Sequence, residues 1–192
     1  MGQNSSVIDG VFHKSMEDRR KVPYVHLREA NIMWSKRVWR KIDLREKINH
    51  PLYYPINPLE DRQSLAQILI ASVQEGSLGA YDAFDDEFTT PLTKAQVNAM
   101  LNRTDTFWIP SADPPYDPIP KVVTENFDPA RVKEIRIKED WVFDKERSML
   151  DVRIIGIQPV MDNIDPNTGE VRGKQPMFWI YFPDARNILA NK

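Results

Sequence analysis

The sequence predicts an α+β domain, an antiparallel β meander drawn from the C-terminal third and packed with a long N-terminal helix and shorter helices. Three observations lead there. Residues 27–49, LREANIMWSKRVWRKIDLREKIN, place apolar side chains at helical spacing and stop just before Pro51. Residues 135–182 change to an alternation of period two, broken by turn residues. Between them lie two shorter helical patterns, the first closed by glycines and the second opened by Thr93 as an N-cap. Hydrophobic residues make up 41% of the 192-residue chain, enough for one core and therefore one domain over 25–192.

Residues 1–24 are polar without a sustained period and are expected to form a flexible N-terminal arm. In the helix that follows, Leu27, Ala30, Trp34, Val38, Ile42 and Ile48 fall in one stripe of about 120° at about 100° per residue. Ile32 and Trp39, seven apart, lie together on another flank, set off from that stripe by Lys36, Arg40, Asp43 and Lys47. The stretch PLYYPINP is extended. A second helix covers about residues 60–75, with Leu65, Ile68, Leu69 and Ser72 on one side and Gly76 and Gly79 as stops. YDAFDDEFTTPLT holds a short strand, and Thr93 caps a third helix. TDTFWIP is strand-like, whereas the prolines of SADPPYDPIP predict a loop.

Ile135, Ile137, Trp141 and Phe143 share one parity of a strand, and Arg136, Lys138 and Asp140 the other. DKERS turns that strand into MLDVRIIGIQPV, and DPNTG, with Gly169, makes a second connection. MFWIYF is apolar on both faces and belongs in the middle of a sheet. PDARNILANK opens a last helix with Pro and Asp in its first turn.

Composition and motifs exclude much chemistry. The chain has no cysteine, which removes disulfides, thiolate zinc sites and cysteine nucleophiles. His13, His26 and His50 stand alone, without ligand spacing, and there is no nucleophile elbow, Walker loop or dinucleotide glycine pattern. Asp82, Asp85, Asp86 and Glu87 are dense in oxygen but fail EF-hand spacing, so no metal and no cofactor is expected. SKRVWRK mixes cations with a tryptophan, as single-strand nucleic-acid binders mix basic and aromatic residues. The interrupting Glu29, Asp43 and Glu46 and the net charge of −2 weigh against nucleic acid. A pair of carboxylates for glycan hydrolysis is defined only in space, so a periplasmic glycan- or peptidoglycan-acting hydrolase stands as the alternative reading. No apolar run approaches a membrane span.

Three long blocks carry a resemblance. LREANIMWSKRVWRKIDLREKINHPLYYP, WVFDKERSMLDVRIIGIQPV and MFWIYFPDARNILANK, in that order, resemble the signature blocks of the GldN/PorN family of the gliding-motility and type IX secretion machinery of Bacteroidota. The resemblance runs from about Val22 to the end. It implies a non-enzymatic structural subunit of the periplasm, held near the outer membrane by a GldK/PorK-type lipoprotein. It further implies a homo-oligomeric ring with that lipoprotein and contact with the periplasmic domain of a GldM/PorM-type motor protein. Family chains begin with a signal peptide and continue beyond the last block, so this chain is expected to be shortened at both ends.

Charge is unevenly spread, at +5 over residues 1–50, −8 over 51–130 and +1 over 131–192. The surplus apolar positions and this division give the interaction hypothesis. Ile32 and Trp39, rimmed by Lys36 and Arg40, contact a neighbour, or else Trp39 packs beneath its own arm or the PLYYP segment. The basic positions Lys36, Arg40 and Lys47 face the acidic Asp82, Asp85, Asp86 and Glu87 of the next subunit.

Overall fold

The computed structural model describes residues 21–59, 62–110, 118–125, 127–164 and 170–191. It centres on a six-stranded antiparallel sheet. The strands are β1 (Ile32–Asp43), β2 (Ala80–Tyr81), β5 (Val132–Asp144), β6 (Met149–Ile164), β7 (Val171–Pro176) and β8 (Trp179–Tyr181), in the order β1-β5-β6-β8-β2, with β7 paired to β6 beside that path. β3 (Arg103–Pro110) and β4 (Pro118–Glu125) form a separate two-stranded ribbon. The α-helices are short: α1 (His50–Tyr53), α2 (Leu65–Glu75), α3 (Lys94–Leu101) and α4 (Phe182–Asn191). Among the described residues, no helix is long and apolar enough to cross a membrane.

The long N-terminal helix is therefore corrected. Residues 32–43 are the edge strand of the sheet, preceded by a single 3-10 turn at Glu29–Asn31. The spacing misled for a physical reason. Trp34, Val38 and Ile42 recur every four residues, which is about one helical turn and also two full alternations of a strand, so they share a face in either conformation. Context decides between them. β5 is 13 residues long and would otherwise present a bare edge, and β1 satisfies it in register from Trp34 opposite Phe143 to Asp43 opposite Glu134. Five of the twelve β1 residues (Ile32, Trp34, Val38, Trp39 and Ile42) are β-branched or aromatic and suit a half-buried pleated surface. The outer members of the presumed helical stripe do not belong to it, since Ala30 and Ile48 are exposed.

The SADPPYDPIP loop is corrected in part. Pro118 and Pro120 lie in β4, opposite Pro110 and Trp108. Both strands of a two-stranded ribbon are edges, so a proline's missing N–H can face away from the ladder. The second connection at 165–169 and the arm through residue 20 lie outside the described residues.

PLYYPINP is corrected at its start, because residues 51–53 belong to the helical turn α1, and the second helix begins at Leu65 rather than near residue 60, because Ser64 is extended and caps it. At the caps and turns the local signals act where they stand. Ser64 caps α2 in a reciprocal box, with the Gln67 N–H donating to Ser64 Oγ at 3.3 Å and the Ser64 N–H to Gln67 Oε1 at 2.8 Å. Gly76, at φ 84°, ends the helix in the left-handed conformation. Thr93 and Gln96 build a second capping box at α3. β5 turns into β6 through residues 145–148, where the Asp144 carboxylate accepts from the Glu146 N–H at 2.9 Å and from Arg147 Nε at 2.7 Å.

The core lies between one face of the sheet and the helices. Ile135, Ile137, Ile157 and Ile180 of the sheet meet Leu69, Val73, Val97 and Ala185 of the helices, with Phe178 fully enclosed. β8 lies between β6 and β2, so Trp179 and Ile180 are buried from opposite faces. The other face is partly roofed by the segment 82–90.

Candidate interaction surface

Pairing with β5 gives β1 two distinct faces. Trp34, Lys36, Val38, Arg40 and Ile42 lie opposite Phe143, Trp141, Glu139, Ile137 and Ile135, and so share the helix-side face of the sheet. Arg37, Trp39 and Lys41 lie opposite Asp140, Lys138 and Arg136 on the loop-side face. Trp39 is thereby separated from Lys36 and Arg40, which cannot rim it as they would on a helix.

On the loop side, Trp39 meets the acidic segment of its own chain. Its indole Nε1 donates to Asp86 Oδ2 at 2.9 Å. The same oxygen lies 3.5 Å from Lys138 Nζ, which also donates to the Asp86 carbonyl oxygen. The Lys138 side chain is only 4% exposed, and its ammonium lies 5.9 Å from the Trp39 ring and 5.5 Å from the Phe88 ring. A buried ammonium needs such compensation, since neither hydration nor an isolated carbonyl would offset its desolvation. Phe88 sits at φ 62°, uncommon for a bulky residue, and stacks edge-on against Tyr81, Trp179 and Tyr181. It rests directly on Gly156, where a Cβ would come within 2.7 Å of the ring.

The acidic residues are thus largely engaged within the chain. Asp85 accepts from the Thr89 N–H and hydroxyl, both at 2.8 Å, and from the Thr90 N–H. Although partial burial opposes it, these donors hold the Asp85 carboxyl below the usual carboxylate range. Asp82 accepts from the Phe84 N–H at 2.9 Å, and Glu87 is exposed. Of the basic positions, Arg40 pairs with Glu139, a carboxylate whose side chain is fully buried and which also accepts from Trp141 Nε1 at 2.9 Å. Lys47 lies in a separate 3-10 turn, Lys47–Asn49, and is exposed. Ile32 is half-buried at the start of β1, opposite Asp144. Lys36 is exposed and forms no ion pair among the described residues.

Sequence reasoning passed over two features. The first is Arg37, which grips Asp140 through Nε at 2.7 Å and Nη2 at 2.9 Å, lowering the Asp140 carboxyl below its usual range. The second is an apolar row on the helix side, near the β5–β6 turn, beyond the reach of the helices. Trp34, Phe143 and Leu150 lie abreast, with Lys36, Trp141 and Val152 in the next row. Trp34 is 46% exposed and Leu150 48%, and Met33 and Met149 nearby are more exposed still. The parity of 135–143 was legible, but a row across three strands appears only once their register is fixed.

An open groove of about 220 Å³ lies elsewhere, between α2 and the segment before β5. It is lined by Pro58, Gln67, Gln74, Phe127 and their neighbours, none of them a carboxylate.

A family model described as "Gliding motility associated protein GldN" matches residues 27–192, nearly the whole chain. No curated protein matches it.

Proposed function

The chain belongs to the GldN family and is a component of the gliding-motility and type IX secretion machinery, and from that premise we propose that it is a periplasmic ring subunit whose β1 side meets its neighbours. The family is a structural one and not a known enzyme family. In this reading the ring is shared with a GldK/PorK-type lipoprotein that holds it to the outer membrane, and it contacts the periplasmic domain of a GldM/PorM-type motor protein. One observation carries the reading: β1 is a long edge strand whose two tryptophans stay open to solvent, Trp34 at 46% and Trp39 at 57%. Apolar area left open beside arginines and a lysine is the anatomy of an interface rather than of a finished monomer surface. The groove beside α2 is not lined by the acid pair that the hydrolase alternative requires.

The test is co-purification of this chain with its lipoprotein partner, followed by electron microscopy, for the wild type and for Trp34→Glu and Trp39→Glu. Rings from the wild type and none from either folded variant support the reading. Rings of normal yield from both variants refute it.

A further inference from the structure

The edge of β1 opposite β5 is unpaired among the described residues, and its backbone is set out for a partner. Leu44 donates its N–H to Lys133 O at 2.9 Å, directly after the register pair Asp43–Glu134. Antiparallel ladders alternate, so the backbone groups of Ile42, Arg40, Val38, Lys36 and Trp34 turn toward β5. Those of Ser35, Arg37, Trp39 and Lys41 then turn outward. A row of free donors and acceptors of this length accepts another extended chain.

The side chains decide which chain. β1 carries Lys36, Arg37, Arg40 and Lys41, with Asp43 alone in opposition, and Asp43 is already held by Arg45. Arg37 and Arg40 have their carboxylates on β5, whereas Lys36, on one face, and Lys41, on the other, have none among the described residues. Two copies of β1 joined antiparallel about Val38 would set Lys36 against Arg40, and so repeat like charge across the seam. A second β1 is therefore a poor occupant, and a neutral apolar strand leaves both lysines without a counter-ion. We infer that β1 receives an extended acidic segment of a partner protein by strand addition, with carboxylates reaching Lys36 on the helix side and Lys41 on the loop side. Trp34 and Trp39 flank the seam on the same two faces and give the incoming strand apolar contact. This inference rests on the reading of β1 as an assembly surface and deepens it.

The test uses the full chain and three blocked heptapeptides of valine and threonine: one with glutamates at positions 1 and 6, five apart like Lys36 and Lys41 and so on opposite faces, one with lysines at those positions, and the glutamate peptide N-methylated at alternate residues so that it cannot complete a ladder. Binding is followed by heteronuclear NMR. The expected result is saturable binding of the acidic peptide, weakened about tenfold or more between about 50 and about 500 mM salt. The amides of Ser35, Arg37, Trp39 and Lys41 should shift and gain exchange protection, the N-methylated peptide should bind about tenfold more weakly, and Lys36→Glu with Lys41→Glu should transfer preference to the lysine peptide. Equal binding of the N-methylated peptide, binding of the lysine peptide by the wild type, or shifts away from β1 would each overturn strand addition, as would self-association through β1. If the peptides fail while the tryptophan variants still abolish rings, strand addition falls and the assembly reading stands. If the peptides bind as expected but the tryptophan variants assemble normally, the assembly reading is the one that falls.

Discussion

Replacing Asp86 by asparagine should destabilise the fold through Lys138, although Asp86 lies in a surface segment. The Lys138 ammonium is almost wholly buried and lies 3.5 Å from Asp86 Oδ2. At an effective dielectric near 20, two unit charges at that distance attract by about 5 kcal/mol. That is an upper bound, because the Asp86 side chain is 35% exposed and water screens it. Lys138 also keeps the Asp86 carbonyl oxygen and the two ring faces in the variant. Asparagine preserves shape and can still accept from the Trp39 indole, so the loss is chiefly the counter-ion. We expect Asp86→Asn to lower stability by about 1–2 kcal/mol. Lys138→Met should cost less, since methionine fills the same apolar site and the half-exposed Asp86 can be rehydrated. In Lys138→Met, the further change Asp86→Asn should then cost almost nothing, giving a coupling energy of about 1–2 kcal/mol. Urea denaturation followed by circular dichroism measures all four proteins. Additive losses, or an Asp86→Asn protein within about 0.3 kcal/mol of the wild type, would show that this charge pair does not hold the 82–90 segment on the sheet.

Two further outcomes follow from the same geometry. Gly156→Ala drives a methyl group to 2.7 Å from the Phe88 ring, so it should cost about 1–3 kcal/mol in urea denaturation, and Phe88→Ala should remove most of that difference; a neutral Gly156→Ala would show that Phe88 moves aside freely. Hydrogen bonds from the Arg45 side chain and N–H hold the Asp43 carboxyl at about 2, below its unfolded value, so its stabilisation is full above the unfolded value and disappears as pH falls through about 2. With 32% of the Asp43 side chain exposed, the contribution is at most about 1 kcal/mol, and an NMR titration should show Asp43 returning toward the usual carboxylate value in Arg45→Ala.

The candidate surface was legible in composition more than in geometry. Trp39, Lys36, Arg40 and the acidic cluster are conspicuous as residues, but their pairing is not, and it is the structure that sets Asp86 against Trp39 of the same chain. What the sequence left open was whether Trp39 meets its own chain or a neighbour. Its indole N–H is satisfied by Asp86 while 57% of its surface remains open. Lys138 could not be singled out, because a lysine on the polar parity of a strand looks solvent-facing until a loop closes over it.

Taken alone, the sequence determined what nearest neighbours can enforce. Ser64 with Gln67 and Thr93 with Gln96 start their helices, Gly76 stops one, and the 144–148 turn sends β5 back as β6. Each of these depends on hydrogen bonds spanning a few residues, so no distant partner is needed. Tertiary structure decided the conformation of residues 32–43, where a spacing of four satisfies helix and strand alike and the bare edge of β5, about a hundred residues away, selects the strand. It also decided which charges are buried, because Glu139 and Lys138 become enclosed only when β1 and the 82–90 segment come to lie against β5.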